Sequence, residues 1–563
     1  MNKTNRLYTF FAHEHVKLLI DICCPLAVWI LVYCPYLKFY LLHIDTAGYL
    51  LAGQMILDGA VPFLDFWDNK PPFVYQLFAL ILKCSGRNNF IAVTIATLAF
   101  NCISTILLYK IIRLFSSRFT ACIAAFLYPV LSHLMLFRDS ISPNAEMYMT
   151  TFELCALLIG IHAILKKSIR LIILAGISAG IATAFKQPGG VIVCVLSIGW
   201  ILYHRNTSEW KSVWKPISAL ILGTGSIWLL IIGYFWHKNA LWDFWFLSFE
   251  FNFIYSSGFS KLDILKSLMT IYRDYMMEYP LIFIPYFSGI IASVYTIAKR
   301  TAPPLLRFFF SMVLLWHAGD LLGTAVSGLF FYHYFVQLMP SFVVLTVVPN
   351  LHYLYGCLQN RQNVFFAGTT IYAAILFMHL FFPHTLLPSF DRWNYIPPQH
   401  MLKKNSVYSK HYGNEYYLNP VYRHPDHTLQ VRKMIEIIRA YVPADKPLFV
   451  WGSSPDVYIW SNRKPASRFI YASFIQGNFH GLSKLKYTEK PQFSILLTRM
   501  QKMLLDDLNT SKPVMIAVTI NTIMPHTAFF WDYLNTHYER LPIQQPLPAD
   551  FYILKEQTSP DMR

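Results

Sequence analysis

The sequence predicts a polytopic α-helical membrane protein with a soluble α/β domain at its C-terminal end. Of the 563 residues, 55% are hydrophobic and only 14% are charged, which is more apolar surface than one soluble core would bury. Apolar segments of about twenty residues, long enough to cross a hydrocarbon core ~30 Å thick, recur from residue 18 to residue 383. After Pro383 the composition turns soluble, and short strands alternate with helices.

Hydropathy predicts eleven membrane spans. They are 17–37, 89–109, 119–137, 145–165, 169–185, 188–204, 215–236, 279–298, 305–325, 332–355 and 363–383. The shorter apolar run 71–84 begins with Pro71-Pro72. If it crossed the membrane, the basic loops from Lys110 onward would move outside and reverse the positive-inside pattern. We therefore expect a juxtamembrane or re-entrant helix there, with the N-terminus in the cytoplasm and the C-terminus outside.

This pattern divides the chain into two predicted domains. Residues 1–384 form the transmembrane domain, in which 38–88 is the first outer loop with its juxtamembrane helices, and residues 385–563 form an extracytoplasmic α/β domain. For the second domain the pattern predicts helices at 429–441, 455–461, 495–508 and 527–538 and strands at 447–451, 513–520 and 550–554. No G-x-G-x-x-G follows a strand there, so we expect no nucleotide site.

The net charge of +17 and the nine cysteines have simple explanations. Much of the positive excess lies in short loops between apolar segments, as membrane orientation requires, so no nucleic-acid partner is expected. The cysteines all precede residue 384, without a C-x-x-C pair or interleaved histidines. We therefore expect neither disulfides nor a zinc site.

Polar residues that a span could not accommodate fall in the predicted outer loops. The stretch from His43 to Phe73 is too rich in charge for hydrocarbon, since it holds Asp45, Asp58, Asp65, Asp68 and Lys70. Other outer loops carry polar side chains near the ends of spans: Arg138, Asp139, Glu146, Lys186, Gln187, Tyr332, His333 and Tyr334. We expect all of these loops on one face, at the level where a polyprenyl phosphate presents its phosphate.

Two further stretches lie outside the spans. The aromatic stretch 240–262 is either an interfacial helix in the membrane plane or an aromatic belt that anchors its neighbours, and the sequence does not decide between them. Residues 400–427 are rich in Tyr, His and Asn. They are predicted to form a loop near the membrane surface.

Transfer of a sugar from a lipid phosphate needs a base for the acceptor and cations for the leaving phosphate. Asp45 directly follows the first span and is the predicted base, although Asp also commonly caps a helix such as one starting at Thr46. Glu146 and Asp139 are the other predicted catalytic acids. The alternative role for Glu146 is a favourable interaction with the dipole of its helix. The alternative role for Asp139 is a local ion pair with Arg138.

Four basic residues are the predicted phosphate ligands: Lys70, Lys186, His333 and Arg138. Lys70 precedes Pro71-Pro72, which restricts its backbone, and Lys186 closes a span on the outer side, against the positive-inside trend. The alternative for Lys70 is a lysine that snorkels at the interface, and the alternative for His333 is a solvated interface histidine. Substrate contacts are predicted for Asp65, Asp68, Tyr332, Tyr334 and Gln187.

Several motifs together resemble the GT-C superfamily of polyprenyl-phosphate-sugar-dependent glycosyltransferases. They are D-T-A-G-Y-L-L-A-G-Q-M-I-L-D-G-A-V-P-F at 45–63, D-x-W-D-N-K-P-P at 65–72, P-N-A-E at 143–146, F-K-Q-P at 185–188 and Y-H-Y-F-V-Q-L-M-P at 332–340. Within that superfamily the chain resembles glycosyltransferase family 39, with the protein O-mannosyltransferases, and the aminoarabinose transferase acting on lipid A. The order and spacing of the motifs carry the resemblance.

The resemblance implies a GT-C fold and an inverting transfer of sugar from an undecaprenyl- or dolichyl-linked donor. The acceptor would be a cell-envelope glycan, lipid or protein at the outer face of the inner membrane. By resemblance, Asp45 is the first-loop acid, Glu146 is the second-loop acid, and Lys70 and His333 are the basic positions at the phosphate. Protein mannosyltransferases have an Asp-Glu pair in the first loop, whereas Thr46 follows Asp45 here. The acceptor, the sugar and any role of a divalent metal are left open.

Two other functions were weighed against transfer. A transporter or flippase of lipid-linked sugars would carry charged residues inside its spans and broken helices related by internal repeats. Here the sequence shows Asp21 and Asp320 inside spans and no detectable repeat. A non-catalytic assembly partner would leave the one-sided acids and lysines without a role. Transfer is therefore the favoured function, and transport is the main alternative.

Overall fold

The structure is a computed structural model, and it is mostly helical. It describes residues 21, 23–34, 44–204, 210–256, 260–328, 330–358, 425–476, 491–519, 527–543, 547 and 549–555. These residues belong to two compact units, which are treated separately below. The first unit contains 21–34, 89–233 and 272–358, and the second contains 44–88, 234–271 and the described residues from 425 onward.

Helices make up nearly all of the described chain up to residue 358. In chain order they are α1 (Cys23–Tyr33), α2 (Ile44–Leu57), α3 (Phe73–Ser85), α4 (Phe90–Arg113), α5 (Arg118–Leu136), α6 (Ala145–Lys166), α7 (Ile169–Phe185), α8 (Val191–His204), α9 (Trp210–His237), α10 (Leu241–Trp245), α11 (Phe251–Ser256), α12 (Lys261–Glu278), α13 (Pro280–Ala298), α14 (Pro304–Ala325) and α15 (Met339–Leu358). Short 3₁₀ turns lie at Phe137–Ser140, Gln187–Gly190 and Tyr332–Val336, and a π turn at Phe246–Glu250 joins α10 to α11.

Seven helical stretches among the described residues are long and apolar enough to cross a membrane. They are α4, α5, α6, Gln187–His204, Val213–His237, α13 and α14. Helices α1, α3 and α7 are apolar but shorter. Each of the seven matches a predicted span, whereas the predicted span 363–383 lies outside the described residues. The total of eleven spans and the orientation of the termini therefore stay predictions.

Two predictions about segment boundaries need comment. The predicted span 332–355 is wrong at its start, because Tyr332–Val336 is a 3₁₀ turn and α15 begins at Met339. Pro340, in the first turn of α15, has no N–H to donate and suits a helix start rather than a helix interior. The run 71–84 does form the short helix α3. Its position at the membrane surface stays a prediction.

Close helix packing in the first unit depends on small residues. A Cβ atom added to Gly176 of α7 would lie 2.3 Å from the backbone oxygen of Leu220, and one added to Gly223 of α9 would lie 2.4 Å from that of Ile173. The two backbones therefore touch where each helix lacks a side chain, as is common between membrane helices. This contact fixes the C-terminal half of α7, which leads to Lys186.

The second unit contains a small α/β domain. Its helices are α16 (Pro425–Tyr441), α17 (Asp456–Ser461), α18 (Ser473–Gln476), α19 (Pro491–Ser511) and α20 (Ala528–His537), and its strands are β1 (Leu448–Trp451), β2 (Met515–Val518), β3 (Tyr538–Arg540) and β4 (Asp550–Leu554). The sheet order is β1-β2-β4-β3, with β1 parallel to β2 and β4 antiparallel to both neighbours. The sequence missed the four-residue helix α18 and the three-residue strand β3, which are too short to show a periodic pattern.

The first outer loop packs against this domain within the second unit. The Trp67 N–H donates to the Arg468 backbone oxygen at 2.8 Å, and the Tyr471 hydroxyl donates to the Ile44 backbone oxygen at 3.3 Å. A Cβ atom at Gly48 would lie 1.6 Å from the Tyr471 hydroxyl oxygen, so only glycine fits there. The N-terminal turn of α2, which carries Asp45, is therefore held by the C-terminal domain.

Candidate active site

Two helix ends in the first unit carry the charged side chains of its candidate site, Glu146 and Lys186. Helix α6 begins at Ala145, so Glu146 is its second residue. Helix α7 ends at Phe185, and Lys186 follows in an extended conformation with φ −157° and ψ 135°. Pro188 comes two residues later and opposes continuation of the helix. The sequence therefore fixes the two positions from which Glu146 and Lys186 project.

Lys186 and Glu146 form a buried ion pair. The Lys186 ammonium binds Glu146 Oε1, and the two side chains are only 12% and 1% exposed. The same ammonium lies 3.5 Å from the centre of the Tyr334 ring, which is a cation–π contact. Two charges buried as deeply as these are stable only when they pair with each other and make additional favourable contacts. Lys186 is therefore held by a specific partner in the fold.

His333 lies between two carboxylates. Its Nε2 is 3.9 Å from Glu146 Oε1, and its Nδ1 is 3.9 Å from Asp139 Oδ1. The ring is buried and stacks on Phe331 at an interplanar angle of 9°. The alternative of a solvated histidine is therefore wrong. When protonated, His333 can pair with both acids.

Several polar atoms of this cluster lack a partner. Glu146 Oε2 and both amide atoms of Asn144 are buried without a hydrogen bond to any described residue. Leaving a buried polar group without a partner costs about 1–3 kcal/mol, so such groups usually mark a place that a ligand or water completes. The 143–146 segment thus offers both acceptors and donors beside the Lys186 ammonium.

The other predicted residues of this unit lie around the cluster. Tyr332 is buried and packs edge-on against Tyr275, with ring centres 6.2 Å apart. Gln187 is the first residue of the 3₁₀ turn that follows Lys186. Arg138 belongs to the 3₁₀ turn that also holds Asp139, but its side chain lies outside the described part. Substrate contacts by these residues stay predictions.

Asp45, Asp68 and Lys70 form a second cluster, in the second unit. Asp68 is buried, and its Oδ1 accepts a hydrogen bond from the Asn69 N–H at 2.6 Å. Burial raises the pKa of Asp68, and the Asp45 charge raises it further, whereas Lys70 lowers it. The Lys70 ammonium donates to Asn69 Oδ1 at 3.0 Å. The structure thus brings two predicted acids and one predicted cation together.

Two other acids of the first loop have local partners. Asp65 is exposed, and its Oδ2 accepts from the Val61 N–H at 2.6 Å, which closes a turn. Asp58 pairs with Arg87, and its Oδ2 lies 3.4 Å from the Lys464 ammonium. The Arg87 guanidinium lowers the pKa of Asp58 below its usual value. These contacts explain both acids structurally, and a substrate contact by Asp65 stays a prediction.

Glu153 is a buried acid of α6 that the sequence patterns did not single out. Its carboxyl group lies close enough to that of Asp320 in α14 for the two to interact. Asp21, the other acid noticed inside a span, is simply paired with Arg118. Spacing was the available signal, because Glu146 and Glu153 are seven residues apart and therefore share a helix face.

Removal of Lys186 tests the buried ion pair. Lys186→Met leaves the Glu146 carboxylate buried without its cation, so we expect a loss of about 3–5 kcal/mol in the free energy of unfolding. Glu146→Gln combined with Lys186→Met removes both charges and should recover most of that loss. Arg87→Met breaks the half-exposed pair with Asp58 and, as the control, should cost about 1 kcal/mol or less. Thermal unfolding in detergent measures all three, and a double variant no more stable than Lys186→Met would contradict the pairing.

Asp68 should make stability depend on pH. Because its pKa is raised in the folded protein, the folded state loses stability as the pH rises from the usual carboxyl range through that raised value. Asp68→Asn should therefore stabilise the protein at pH 8 and leave it unchanged at pH 4. Asp58→Asn should destabilise the protein at pH 8, because the pKa of Asp58 is lowered in the folded protein. Equal melting temperatures of Asp68→Asn and wild type at pH 8 would argue against the buried carboxylate.

One model of a known protein family matches part of the chain. The family model for dolichyl-phosphate-mannose-protein mannosyltransferases matches residues 69–272. That range includes Lys70, Asp139, Glu146 and Lys186. Comparison with curated proteins finds no match.

Solved structures share the fold at low sequence identity. ArnT from Cupriavidus metallidurans in the apo state has a TM-score of 0.53 at 12% identity, over 96% of this chain and 98% of that chain. The same protein bound to undecaprenyl phosphate gives 0.52 at 12% identity, over 95% and 97% of the two chains. The oligosaccharyltransferase of Archaeoglobus fulgidus gives 0.46 at 12% identity, over 89% and 69%. The likeness to the ArnT structures confirms the predicted GT-C fold, and the family-model match over 69–272 agrees with the resemblance to the mannosyltransferases.

Proposed function

We propose that this protein is a membrane glycosyltransferase that moves a sugar from a polyprenyl-phosphate donor to a cell-envelope acceptor. The observation that carries the proposal is the buried cluster of Lys186, Glu146 and His333. It occurs in a chain with the ArnT fold, and ArnT itself has been solved with undecaprenyl phosphate bound. Cations held at fixed positions are what a leaving phosphate requires.

The first cluster serves the donor in this proposal. Lys186 and His333 contact the phosphate oxygens, and Tyr334 fixes the lysine side chain through the cation–π contact. Arg138, next to Asp139 in sequence, adds a third cation. Lys70, whose backbone is restricted by Pro71, is proposed as a phosphate ligand on the resemblance alone.

The second cluster serves the acceptor. Asp45 takes the proton from the acceptor hydroxyl or amine as that atom bonds to the anomeric carbon. The bond from this carbon to the phosphate oxygen breaks at the same time, which inverts the configuration. Asp68 keeps a proton more readily than an ordinary aspartate because its pKa is raised, so it can share the proton that Asp45 receives.

The C-terminal domain has a place in this scheme. It packs on the first loop through Arg468 and Tyr471. We propose that it binds the part of the acceptor remote from the reacting atom, which fits an extracytoplasmic domain of an inner-membrane protein. The proposal leaves open whether the acceptor is a glycan, a lipid or a protein.

One observation favours transport as a second candidate. The buried carboxyl groups of Glu153 and Asp320 lie inside candidate spans, and intramembrane acids often belong to proton-coupled pathways. A flippase would move lipid-linked sugar across liposomes without cleaving it.

Sugar transfer tests the proposal. Purified protein is given radiolabelled undecaprenyl-phosphate sugars and an envelope extract as acceptor, and transferred label is counted. Asp45→Asn should reduce transfer by about 100-fold or more, as expected for loss of a general base, yet still bind undecaprenyl phosphate. Lys70→Ala should weaken that binding, whereas Asp58→Asn is the matched control in the same loop and should stay active.

Two results would contradict the account. Full activity of Asp45→Asn would remove Asp45 from the role of base. Absence of transfer by the wild type, together with movement of the labelled lipid across liposomes, would replace the transferase with a transporter.

A further inference from the structure

Helix α10, the π turn and helix α11 form one helical segment of the second unit, 241–256, with two unlike faces. One face is buried at intervals of three and four residues, through Phe244, Leu247, Ser248 and Phe251. By contrast, Trp242, Trp245 and Phe253 are 63%, 52% and 76% exposed, and we call them the outer face. Exposed apolar surface of this kind marks a place where a membrane or another molecule binds.

The 241–256 segment starts where a candidate membrane span ends. The stretch Val213–His237 is long and apolar enough to cross a membrane, and the segment begins four residues after it. Phe235, in the last turn of that stretch, stacks on Phe244 with ring centres 4.6 Å apart and an interplanar angle of 7°. The next residue, Trp236, is exposed, as tryptophan commonly is at the level of lipid headgroups. The segment is therefore held at the end of the span.

A neutral lipid interface fits the outer face better than a soluble partner does. Tryptophan has an apolar ring with a polar N–H, and it is enriched where headgroups meet acyl chains. The segment contains two acids, Asp243 and Glu250, and no Lys or Arg. Burial of aromatic surface, rather than attraction to anionic lipid, would therefore drive its binding. The preceding candidate span brings it to the bilayer surface, so the interface itself is the occupant.

Asn252 connects this segment to the first outer loop by a two-point contact. Its Oδ1 accepts from Asn69 Nδ2 at 2.9 Å, and its Nδ2 donates to the Asn69 backbone oxygen at 2.7 Å. Asn69 Oδ1 in turn accepts from the Lys70 ammonium at 3.0 Å. The Asn69 backbone N–H donates to Asp68 Oδ1 at 2.6 Å. The position of Asn252 thus constrains both charged residues of the loop.

We propose that the outer face of the 241–256 segment lies in the membrane interface and that Asn252 thereby holds Asp68-Asn69-Lys70 at the level of the lipid phosphates. Of the two structures that the sequence left open for 240–262, this is the interfacial helix. Asn252 is a positioning residue, because it acts on Lys70 only through Asn69. Contact with lipid at one face of the helix then sets the depth of the charged loop on the other.

Photocrosslinking tests the lipid contact. The full chain, with p-benzoylphenylalanine in place of Phe253, is reconstituted in phosphatidylcholine liposomes and illuminated. Mass spectrometry of the labelled peptide should show lipid adducts. The control carries the same photoreactive residue in place of Ile495, an apolar side chain of α19 that is 72% exposed. Because exposure is matched and only the location differs, the control should give no lipid adduct above background.

Acylation of Lys70 by a water-soluble reagent tests the role of Asn252. Asn252→Leu removes both hydrogen bonds to Asn69 and should raise the rate at Lys70 about two- to tenfold, the range expected for loss of one hydrogen bond. Ser256→Ala is the control in the same segment, because the Ser256 hydroxyl bonds within its own helix, and it should leave the rate unchanged. Lys464, with a side chain 71% exposed, should react equally in all variants, which excludes general unfolding.

The two measurements together decide the proposal. Lipid adducts at Phe253, with faster acylation of Lys70 in Asn252→Leu, support it. Absence of those adducts, equal adducts at Phe253 and Ile495, or crosslinks to a second copy of the chain would overturn the lipid contact. An unchanged rate at Lys70 in Asn252→Leu would overturn the role of Asn252. Neither measurement needs a sugar donor, so each is independent of whether the proposed transfer occurs.

Discussion

The buried ion pair of Lys186 and Glu146 is the interaction on which the first unit's site depends. Two charges at helix ends are removed from water, and neither is stable there without the other. Their pairing requires α6 to start and α7 to end at fixed residues, and it requires the Tyr332–Val336 turn to bring Tyr334 beneath the ammonium. A site built on such a pair is rigid before a ligand arrives, which favours electrostatic stabilisation of a phosphate.

The second unit meets a different constraint. Its acids must stay near water, yet Asp68 is buried and its pKa is raised as a result. The C-terminal domain packs against the neighbouring residue, since the Trp67 backbone N–H donates to the Arg468 backbone oxygen at 2.8 Å. Asp507 of α19 fixes the contacting segment, since its carboxylate accepts from the Ser467 hydroxyl at 2.8 Å and from Arg468 Nη2 at 2.9 Å. The C-terminal domain and residues 44–88 therefore belong to one compact unit.

Sequence patterns predicted much of this architecture because apolar length and strand alternation are local signals. The helices of spanning length, the order of elements in the α/β domain and the special positions of Lys186 and Glu146 all followed from them. The side-chain contacts within the candidate site did not follow from these patterns. That Lys186 binds Glu146, and that His333 lies between Glu146 and Asp139, depends on packing between distant segments. Glu153 was missed because a single acid in an apolar run gives no sign of its partner.

The start of α15 shows a second limit. The sequence stays apolar from 332 to 355, so hydropathy predicted a span that begins at Tyr332. The chain instead forms a 3₁₀ turn at Tyr332–Val336. Helix α15 begins only at Met339, with Pro340 in its first turn. This turn is what buries His333 rather than leaving it in solvent.

Photoaffinity labelling tests the central claim most directly. A polyprenyl phosphate analogue with a photoreactive group beside the phosphate is crosslinked to the purified full chain, and the labelled peptides are identified by mass spectrometry. The account predicts label in the segments that contain Glu146, Lys186 and His333, with competition by unlabelled undecaprenyl phosphate. Label confined to other segments, or label that the unlabelled lipid does not displace, would contradict a donor phosphate site at this cluster.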